Sequence, residues 1–481
     1  MIPARLAGPL VPDGPMLKAI SKNSSNTFPL SHNHILGDIK SEYFSKCIAT
    51  FIPQPIEQTV LDFRQACQGI EGNQYIPPIK RGKSAGYPYC TMAKKGKTDW
   101  FGDQEWDFSS KACKDLRRDV HNLIEDARHG IVPEAVFIAT LKDEKRPVEK
   151  VLQNKTRVFS ACPQHFLIAF RQYFAGFIAF MCRNKIWNES AIGTNCHGFD
   201  WKEIVRYLTP WNVQNIASGD FENFDGSFHP EIFDLIVDII NDFYQDSSDN
   251  RRIRTALWKA LKNPLHLLDM FIFTFSHGQP SGSPITAISN SMYVSLCVRY
   301  ILYDLLKQLG LKFTHHVRVL AYGDDLLLSI SPELSKHLTP FMIAQLFKER
   351  IRMTYTTAFK RPFQEDDQFE QIQDVSFLKR GFAYDDNRKH WFAPLELRSI
   401  REMCNWIKKS PSVMQATIDN CNDAMKELCH HDSVVFEEYR DKILSACHNT
   451  GMLLEVPDWD RVRTTMSLGQ IDYLSEGRPF V

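Results

Sequence analysis

Residues 317–330 constrain the fold most, because two apolar, partly β-branched runs flank a glycine and two aspartates. Such a pattern predicts a β-hairpin with a tight turn. Gly323, Asp324 and Asp325 would then stand at its tip, where the two carboxylates repel each other. A bound cation would relieve this repulsion, and Mg²⁺ prefers carboxylate oxygens together with substrate phosphates. A solvated turn that happens to be acidic is the alternative, and this stretch alone leaves both open.

The composition sets the scale of the protein without naming its ligand. The chain has 481 residues, of which 43% are hydrophobic and 12% aromatic, enough for a large core in two to four domains or subdomains. Its formal net charge is zero, so nucleic-acid binding must rest on local clusters of basic residues. The 12 cysteines show no zinc-like spacing, which suits a reducing compartment.

No signal peptide or transmembrane segment is evident in the sequence. The longest apolar stretch, residues 166–182, contains Arg171 and Gln172 and is short for a membrane span, so we predict a buried helix there. The segment Cys429-His430-His431 lacks partners at ligand spacing, and we interpret it as structural or surface-exposed.

Two basic segments are candidates for phosphate contacts. Residues 80–97 combine lysines with small residues around Gly86, and Tyr87 could stack on a base. Residues 141–159 form a basic ribbon in which Pro147 prevents one continuous helix. A ribbon of this kind could hold a polyphosphate from several sides. Solvated loops are the alternative for both segments.

The remaining signals lie on strands and helices around the hairpin. A short apolar strand ends in Asp220, with Asp225 beyond a turn, so Asp220 is a metal ligand or a helix cap. A turn at 278–284 feeds a helix in which Thr286 and Asn290 share a face. Residues 375–382 read as a strand, and residues 394–481 as a largely helical C-terminal subdomain.

The order and content of these motifs resemble the RNA-dependent RNA polymerases of picornavirus-like positive-strand RNA viruses, over roughly residues 80–385. The resemblance implies metal binding by Asp220, Asp324 and Asp325, and catalysis by these three together with Lys360 as general acid. It implies NTP binding by Lys142, Arg146, Lys150, Lys155, Arg157, Asp225, Ser281, Gly282, Thr286 and Asn290. It implies RNA binding by a template-entry motif and a primer-grip motif: Ser84, Ala85, Gly86, Tyr87, Phe377, Leu378, Lys379 and Arg380.

The same resemblance implies an α+β fold: a closed right hand of fingers, palm and thumb. The palm would be an antiparallel sheet flanked by helices, and the thumb would be helical. The implied ranges are fingers 1–180, palm 181–257, fingers 258–278, palm 279–384 and thumb 385–481. Ser283-Pro284-Ile285 stands where a Cys-Ser-Gly run is common in picornaviruses, which indicates the insect dicistrovirus or iflavirus branch.

The implied reaction is template-directed transfer of a nucleotidyl group from an NTP to an RNA 3′ end, in the replication of a viral genome. Two Mg²⁺ ions about 3.5–4 Å apart would serve it, and Mn²⁺ could substitute. The implied partners are template RNA, a primer or nascent strand, NTPs, a small genome-linked protein primer and other viral replication proteins. The implied location is the host cytoplasm, within membrane-associated replication complexes.

Two other functions fit part of the pattern. A reverse transcriptase shares a palm with an aromatic-x-Asp-Asp hairpin, but Gly323 and the pair Asp225 and Asn290 favour a substrate with a 2′-hydroxyl. A catalytically silent RNA-binding protein could keep the same fold, and the intact carboxylates argue against it.

Overall fold

The computed structural model describes residues 1–8, 10–11, 13–21, 28–275, 277–454 and 456–469. The predicted fingers and thumb ranges also include residues 9, 12, 22–27, 276, 455 and 470–481, which lie outside the described residues. The described chain combines many helices with small sheets.

Helices are the commonest regular element of the described chain. Several begin at a side chain that accepts a hydrogen bond from the first turn, such as Ser110 and Thr339. In order they are α1 (Pro15–Ile20), α2 (Leu36–Tyr43), α3 (Phe63–Gln68), α4 (Thr98–Phe101), α5 (Lys111–Arg128), α6 (Val148–Leu152), α7 (Gln164–Arg183), α8 (Asp200–Leu208), α9 (Pro230–Tyr244), α10 (Ser248–Lys262), α11 (Thr286–Leu309), α12 (Phe313–His316), α13 (Pro340–Ile351), α14 (Leu397–Asn405), α15 (Val413–Leu428), α16 (Ser433–Asn449) and α17 (Trp459–Ser467).

The strands fall into two four-stranded sheets and two small pairs. They are β1 (Ile2–Pro3), β2 (Val136–Leu141), β3 (Lys145–Arg146), β4 (Val158–Ala161), β5 (Ile216–Phe221), β6 (Leu265–Leu268), β7 (Phe271–Thr274), β8 (Val317–Tyr322), β9 (Asp325–Ile330), β10 (Tyr355–Thr357), β11 (Ala383–Asp385) and β12 (His390–Phe392). One large sheet has the order β4–β2–β6–β7, and the other, which we call the central sheet, has the order β10–β5–β9–β8.

The central sheet contains the predicted hairpin. Strands β8 and β9 pair in antiparallel register as far as Tyr322 and Asp325, so the turn consists of Gly323 and Asp324. Leu320 and Leu327 face a core that includes helix α8, whereas alternate residues of both strands join the main core with α11. Because both faces are covered, most residues of the two strands are apolar.

Helix α7 is the apolar stretch that the sequence predicts as a buried helix. Among the described residues it alone is long and apolar enough to cross a membrane by length and composition, and 67% of the window tested is buried inside the protein. Phe170 and Phe174 stack within it at a centroid separation of 3.9 Å, and Phe174 also packs on Trp258 of α10. The helix is therefore part of the core.

The C-terminal helices α14–α17 pack around a core of their own that includes Ile400, Leu428 and Phe436. This helical unit also contacts the basic ribbon from the N-terminal half of the chain. Lys145 Nζ lies 5.1 Å from the centroid of the Trp406 ring and 3.3 Å from the carbonyl oxygen of Glu402. The two ends of the described chain thus meet across the molecule.

The prediction of a strand over residues 375–382 is wrong. Phe377 and Arg380 form a single bridge around a tight turn, and both residues between them have positive φ, 54° for Leu378 and 62° for Lys379. A turn with two positive φ values reverses the chain, so the apolar run cannot continue as one strand. The buried Phe377 anchors the turn in the core around Trp201.

A buried ion pair ties the central sheet to helix α11. Arg299 donates to Glu189 Oε2 at 2.7 Å and to Oε1 at 2.8 Å, and both side chains are almost inaccessible to solvent. The backbone of Glu189 accepts a hydrogen bond from Ala321 N–H on β8. The pair therefore lies directly behind the hairpin.

We expect Glu189→Gln to lower the free energy of unfolding by about 3–5 kcal/mol, because it removes the carboxylate that is doubly hydrogen-bonded to a buried guanidinium. The more exposed Glu42, 3.4 Å from Arg299, would then remain as a counter-charge. Urea unfolding followed by circular dichroism measures this change. Glu438→Gln is the matched control, since it removes the partner of Lys442 on the exposed face of α16 and should leave the unfolding midpoint unchanged. Equal midpoints for all three proteins would contradict the expectation.

Candidate active site

Carboxylates from two neighbouring strands meet at the end of the central sheet. Asp220 lies near the end of β5, and its side chain is hydrogen-bonded to that of Asp324 at the hairpin tip. Antiparallel pairing of β5 with β9 places Gly219 opposite Leu326, which brings Asp220 level with the turn. Asp225 follows in the loop after β5, near enough for its charge to act on Asp324.

These carboxylates destabilise one another's charge. Desolvation and the neighbouring charge of Asp220 raise the pKa of Asp324 to about 6. Desolvation and the charges of Asp324 and Asp220 raise the pKa of Asp325 to about 7. A carboxylate with a raised pKa gains from a nearby cation. The cluster therefore fits a divalent cation, for which carboxylates are suitable ligands.

Lys360, in the turn after β10, is a basic side chain that reaches this cluster. Its Nζ donates to Asp220 Oδ2, and the charge of Lys360 also acts on Asp325. The neighbouring Arg361 turns the other way and donates to both oxygens of Asp367, at 2.7 and 2.6 Å. Of the two adjacent basic side chains, Lys360 and not Arg361 therefore lies in the candidate site.

The basic ribbon carries an internal counter-charge. Both oxygens of Glu144 accept hydrogen bonds from Arg157, and Lys142 and Arg146 lie 3.7 and 3.6 Å from the same carboxylate. Burial opposes the ionisation of Glu144, but the guanidinium of Arg157 keeps its pKa below the usual value. Glu144 therefore holds three of the predicted NTP-binding side chains together.

The ribbon is also held by the N-terminal segment and faces the carboxylates. Strand β1 pairs with β3, and Arg5 Nη1 donates to Asn154 at 2.7 Å. The charges of Asp324 and Asp225 act on Arg157, and that of Lys360 acts on Lys150. Predicted NTP-binding residues on the ribbon thus lie within electrostatic range of the predicted catalytic residues.

Helix α11 and the turn before it form another wall of the site. Ser281 Oγ accepts from Ser160 N–H at 3.4 Å, and a Cβ on Gly282 would lie 1.8 Å from Ser160 O. Only glycine allows this close approach to β4. Thr286 Oγ1 donates back to Ser283 O at 3.0 Å, so its hydroxyl is used within the turn.

On helix α11, Asn290 has an amide oxygen that can accept a hydrogen bond. In the described part of the chain its Oδ1 is buried and has no hydrogen-bond partner. A buried unpartnered amide oxygen is costly unless a ligand or water satisfies it. The predicted hydrogen bond between Asn290 and Asp225 stays a prediction.

The template-entry motif is a rigid loop. Gly86 has a φ of 69°, and a Cβ there would lie 2.4 Å from Cys162 O. Ser84 Oγ accepts from Gly86 N–H, and the buried Lys97 donates to Ser84 O. Lys97 therefore supports the loop from within, while Tyr87 is exposed. RNA contact by Ser84, Ala85, Gly86 and Tyr87 stays a prediction.

The predicted primer-grip residues divide between core and surface. Phe377 is buried, whereas Lys379 is exposed, 3.2 Å from Glu396, and its charge acts on Asp325. Arg380 donates to both oxygens of Glu427 on α15, at 2.8 and 2.9 Å. An RNA contact by Arg380 would require its guanidinium to leave this partner.

A hydrogen-bonded chain extends from Arg380 into the C-terminal helices, and we call it the α15 joint: His197, Arg380, Glu427 and His430. The backbone N–H of Ala393 donates to His430 Nδ1 at 3.2 Å, which assigns the ring proton to Nε2, 2.8 Å from His197 Nδ1. His197 Nε2 lies 3.5 Å from Glu427. Three of these residues offer clustered ligand atoms, but both oxygens of Glu427 already accept from Arg380, so we interpret the joint as structural.

Sequence reasoning missed several residues that shape the site. Glu144 was visible inside the basic ribbon, since an acidic side chain flanked by basic ones invites pairing. Lys97 was a candidate for phosphate contact with the other lysines of residues 80–97, whereas it is buried and donates to Ser84 O. Glu427 carried no signal, because its partner Arg380 lies far along the chain. Ser291, which contacts the hairpin tip, was hidden for the same reason.

The comparisons with known proteins identify the family. Residues 45–448 match the family model described as viral RNA-dependent RNA polymerase. The chain belongs to this family. The predicted enzyme class is thereby confirmed, and the family implies RNA and NTP binding together with the use of a divalent metal.

Its curated relatives are viral polyproteins. The chain is 36% identical over 418 residues to the replicase polyprotein of acute bee paralysis virus, which covers 83% of this chain and 22% of the relative. It is 33% identical over 468 residues to that of cricket paralysis virus, covering 92% of the chain and 26% of the relative. The chain thus spans about a quarter of the length of these relatives, which agree with the predicted insect-virus branch.

A solved structure supports the fold. The chain is similar to the Sicinivirus 3Dpol RNA-dependent RNA polymerase with a TM-score of 0.76 and 21% identity, over 94% of this chain and 88% of that one. This likeness confirms the predicted α+β polymerase fold. The boundaries of fingers, palm and thumb stay a prediction.

We expect Lys360→Leu to slow single-turnover nucleotide incorporation by about 10²–10⁴-fold, the usual contribution of a general acid. NTP affinity should change little, because the substitution leaves the basic ribbon, the predicted triphosphate site, unchanged. Rapid-quench measurements with saturating NTP test this, with Arg361→Leu as the adjacent control. Wild-type rates for Lys360→Leu, or a slow Arg361→Leu, would remove the role from Lys360.

Proposed function

We propose that this chain synthesises RNA from NTPs on an RNA template, as a step in replicating a positive-strand RNA virus genome. The observation that carries the proposal is the meeting of Asp220, Asp324 and Asp325 opposite the basic ribbon. The charge of Asp324 acts on Arg157 across the gap. A triphosphate lying there would be held by cations on one side and would face the carboxylate cluster on the other.

The metal in this proposal is Mg²⁺, as two ions, with Mn²⁺ able to substitute. Asp220 and Asp324 would hold them, with Asp325 contributing from the next position. When bound, such ions neutralise charge that develops on the phosphates and polarise the reacting oxygens. The raised pKa values of Asp324 and Asp325 support the choice, because these groups gain most from a cation.

The protein's own side chains have separate tasks in this proposal. Lys142, Arg146, Lys150, Lys155 and Arg157 hold the triphosphate, and Arg157 does so with a fork that suits phosphate oxygens. Lys360 Nζ carries the proton that the leaving pyrophosphate accepts. Chemistry of this kind depends on positioning and electrostatics more than on covalent catalysis.

The RNA path and the partners complete the proposal. Tyr87 and its loop would contact the template, and Lys379 would contact the primer or nascent strand near Asp325. A small genome-linked protein primer and other viral replication proteins would be partners. The work would take place in the host cytoplasm, in membrane-associated replication complexes.

We expect Asp324→Asn and Asp220→Asn to abolish extension of a primed RNA template while RNA affinity stays nearly unchanged. The neutral amide holds a cation less firmly, and the RNA path does not depend on these carboxylates. Asp325→Asn should retain more activity, because the tip can aim only one of two neighbours directly at the cation. Gel-based extension and fluorescence-anisotropy binding measure the two quantities.

Asp386→Asn is the control for this set, because its side chain is 85% exposed on a distant turn. Its extension rate should equal that of the wild type. Near-normal turnover by Asp324→Asn would exclude the metal assignment. RNA binding without extension by the wild type, in either metal, would favour the silent RNA-binding protein.

The proposed selection of NTPs over dNTPs depends on Asn290. We propose that Asn290 and Asp225 recognise the ribose 2′-hydroxyl, which would satisfy the unpartnered Oδ1 of Asn290. A site built to pair with a hydroxyl penalises its absence, because its own polar groups are then left unpaired.

We therefore expect Asn290→Ala to reduce the preference for NTP over dNTP by about tenfold or more. The preference is measured as the ratio of kcat/KM values for ATP and dATP on one template. Asn449→Ala, at the exposed end of α16, should leave the ratio unchanged. An unchanged ratio in Asn290→Ala would assign another role to this residue, and a wild type that prefers dNTPs would favour the reverse transcriptase.

A further inference from the structure

The hairpin tip depends on a turn with little support from its own residues. Gly323 has a φ of 66°, and a Cβ built there would meet nothing within 4 Å. The glycine is therefore needed for its backbone conformation rather than for space. Asp324, the next residue, is exposed at the end of the turn. Its side chain is hydrogen-bonded to Asp220, so the backbone of the turn must be held from outside the hairpin if this contact is to be kept.

Ser291 on α11 provides that contact. Its Oγ accepts a hydrogen bond from Gly323 N–H at 2.9 Å. The same hydroxyl donates to Ala287 O, one turn earlier in the helix, at 2.9 Å. Because its proton is committed to the helix, the Ser291 oxygen presents a lone pair to the tip in one fixed direction. The side chain is 1% exposed, so water does not compete for it.

Ser291 directly follows Asn290, the residue proposed to recognise the ribose, on helix α11. Successive residues of an α-helix point about 100° apart. Asn290, with its unpartnered Oδ1, therefore points in a different direction from Ser291, which contacts the backbone of the tip. One rigid helix holds the proposed ribose-binding amide and the support of the catalytic turn.

We propose that Ser291 is a positioning residue that aims the carboxylate of Asp324 by holding the backbone of Gly323. The proposal rests on the proposed function, because it concerns the same reaction. Its physical basis is that a hairpin tip pinned at one N–H keeps the distance between Asp324 and Asp220, on which cation binding depends. Without the pin, the two-residue turn is free to tilt about the ends of β8 and β9.

Ser329 offers a matched control on the same hairpin. It is a serine of β9 with no solvent exposure, and its Oγ has no hydrogen-bond partner in the described part of the chain. It pairs with Arg318, far from the turn. Ser329→Ala therefore makes the same chemical change in the same hairpin without removing a hydrogen bond.

We expect Ser291→Ala to lower kcat by about three- to tenfold, the effect of one lost hydrogen bond. The KM for NTP and the affinity for RNA should stay within twofold of the wild type. Mn²⁺ binding to the protein without NTP, measured by calorimetry, should weaken by a similar factor. Ser291→Cys keeps the volume but offers only a weak acceptor, so it should shift both quantities in the same direction.

The outcomes separate this proposal from its basis. A wild type that makes no RNA would refute the proposed function, whatever the variants do. An active wild type whose Ser291→Ala and Ser291→Cys variants bind Mn²⁺ and turn over normally would overturn the role of Ser291. So would equal losses in Ser291 and Ser329 variants that follow a lowered Tm, because the hydroxyl would then serve stability alone. If Ser291→Ala does not fold, the Cys variant decides.

Discussion

The repulsion among the carboxylates at the end of the central sheet is the constraint on which the rest of the site depends. Strand pairing brings Asp220 and Asp324 close together, because β5 and β9 are hydrogen-bonded neighbours and every residue of β5 is buried. The sheet is stable enough to impose this contact, since its hairpin is covered by core on both faces. The raised pKa values of Asp324 and Asp325 reflect how unfavourable it is to hold several negative charges this close together in a partly buried site.

Two groups of neighbours respond to that repulsion in different ways. Lys360 reduces the repulsion directly by donating to Asp220 Oδ2. A metal ion bound by Asp220 would compete with the lysine for this oxygen. The basic ribbon acts at longer range, and its Arg157 is meanwhile hydrogen-bonded to Glu144. An incoming triphosphate would replace part of this counter-charge. Both the carboxylate cluster and the basic ribbon thus contain an ion pair with a residue of opposite charge.

The sequence predicted what short-range chemistry determines. The hairpin followed from apolar runs around a Gly-Asp pair, and helix α7 followed from its length and composition. The prediction of a strand over 375–382 was wrong because Leu378 and Lys379 both adopt positive φ. Neither residue type favours this conformation, so the sequence did not indicate it. Ser291, Lys97 and Glu427 were out of reach for another reason: their partners lie 32, 13 and 47 residues away, and only the folded chain brings them together.

The α15 joint shows how the C-terminal helices are coupled to the site. Arg380 belongs to the turn that carries Lys379, and Lys379 is close enough for its charge to act on Asp325. The same Arg380 is held by both oxygens of Glu427, which in turn faces His197 and through it His430. A buried charged pair of this kind is costly to break from one side. Movement of α15 would therefore act on the turn through this ion pair, which connects the proposed primer contact to the helical unit.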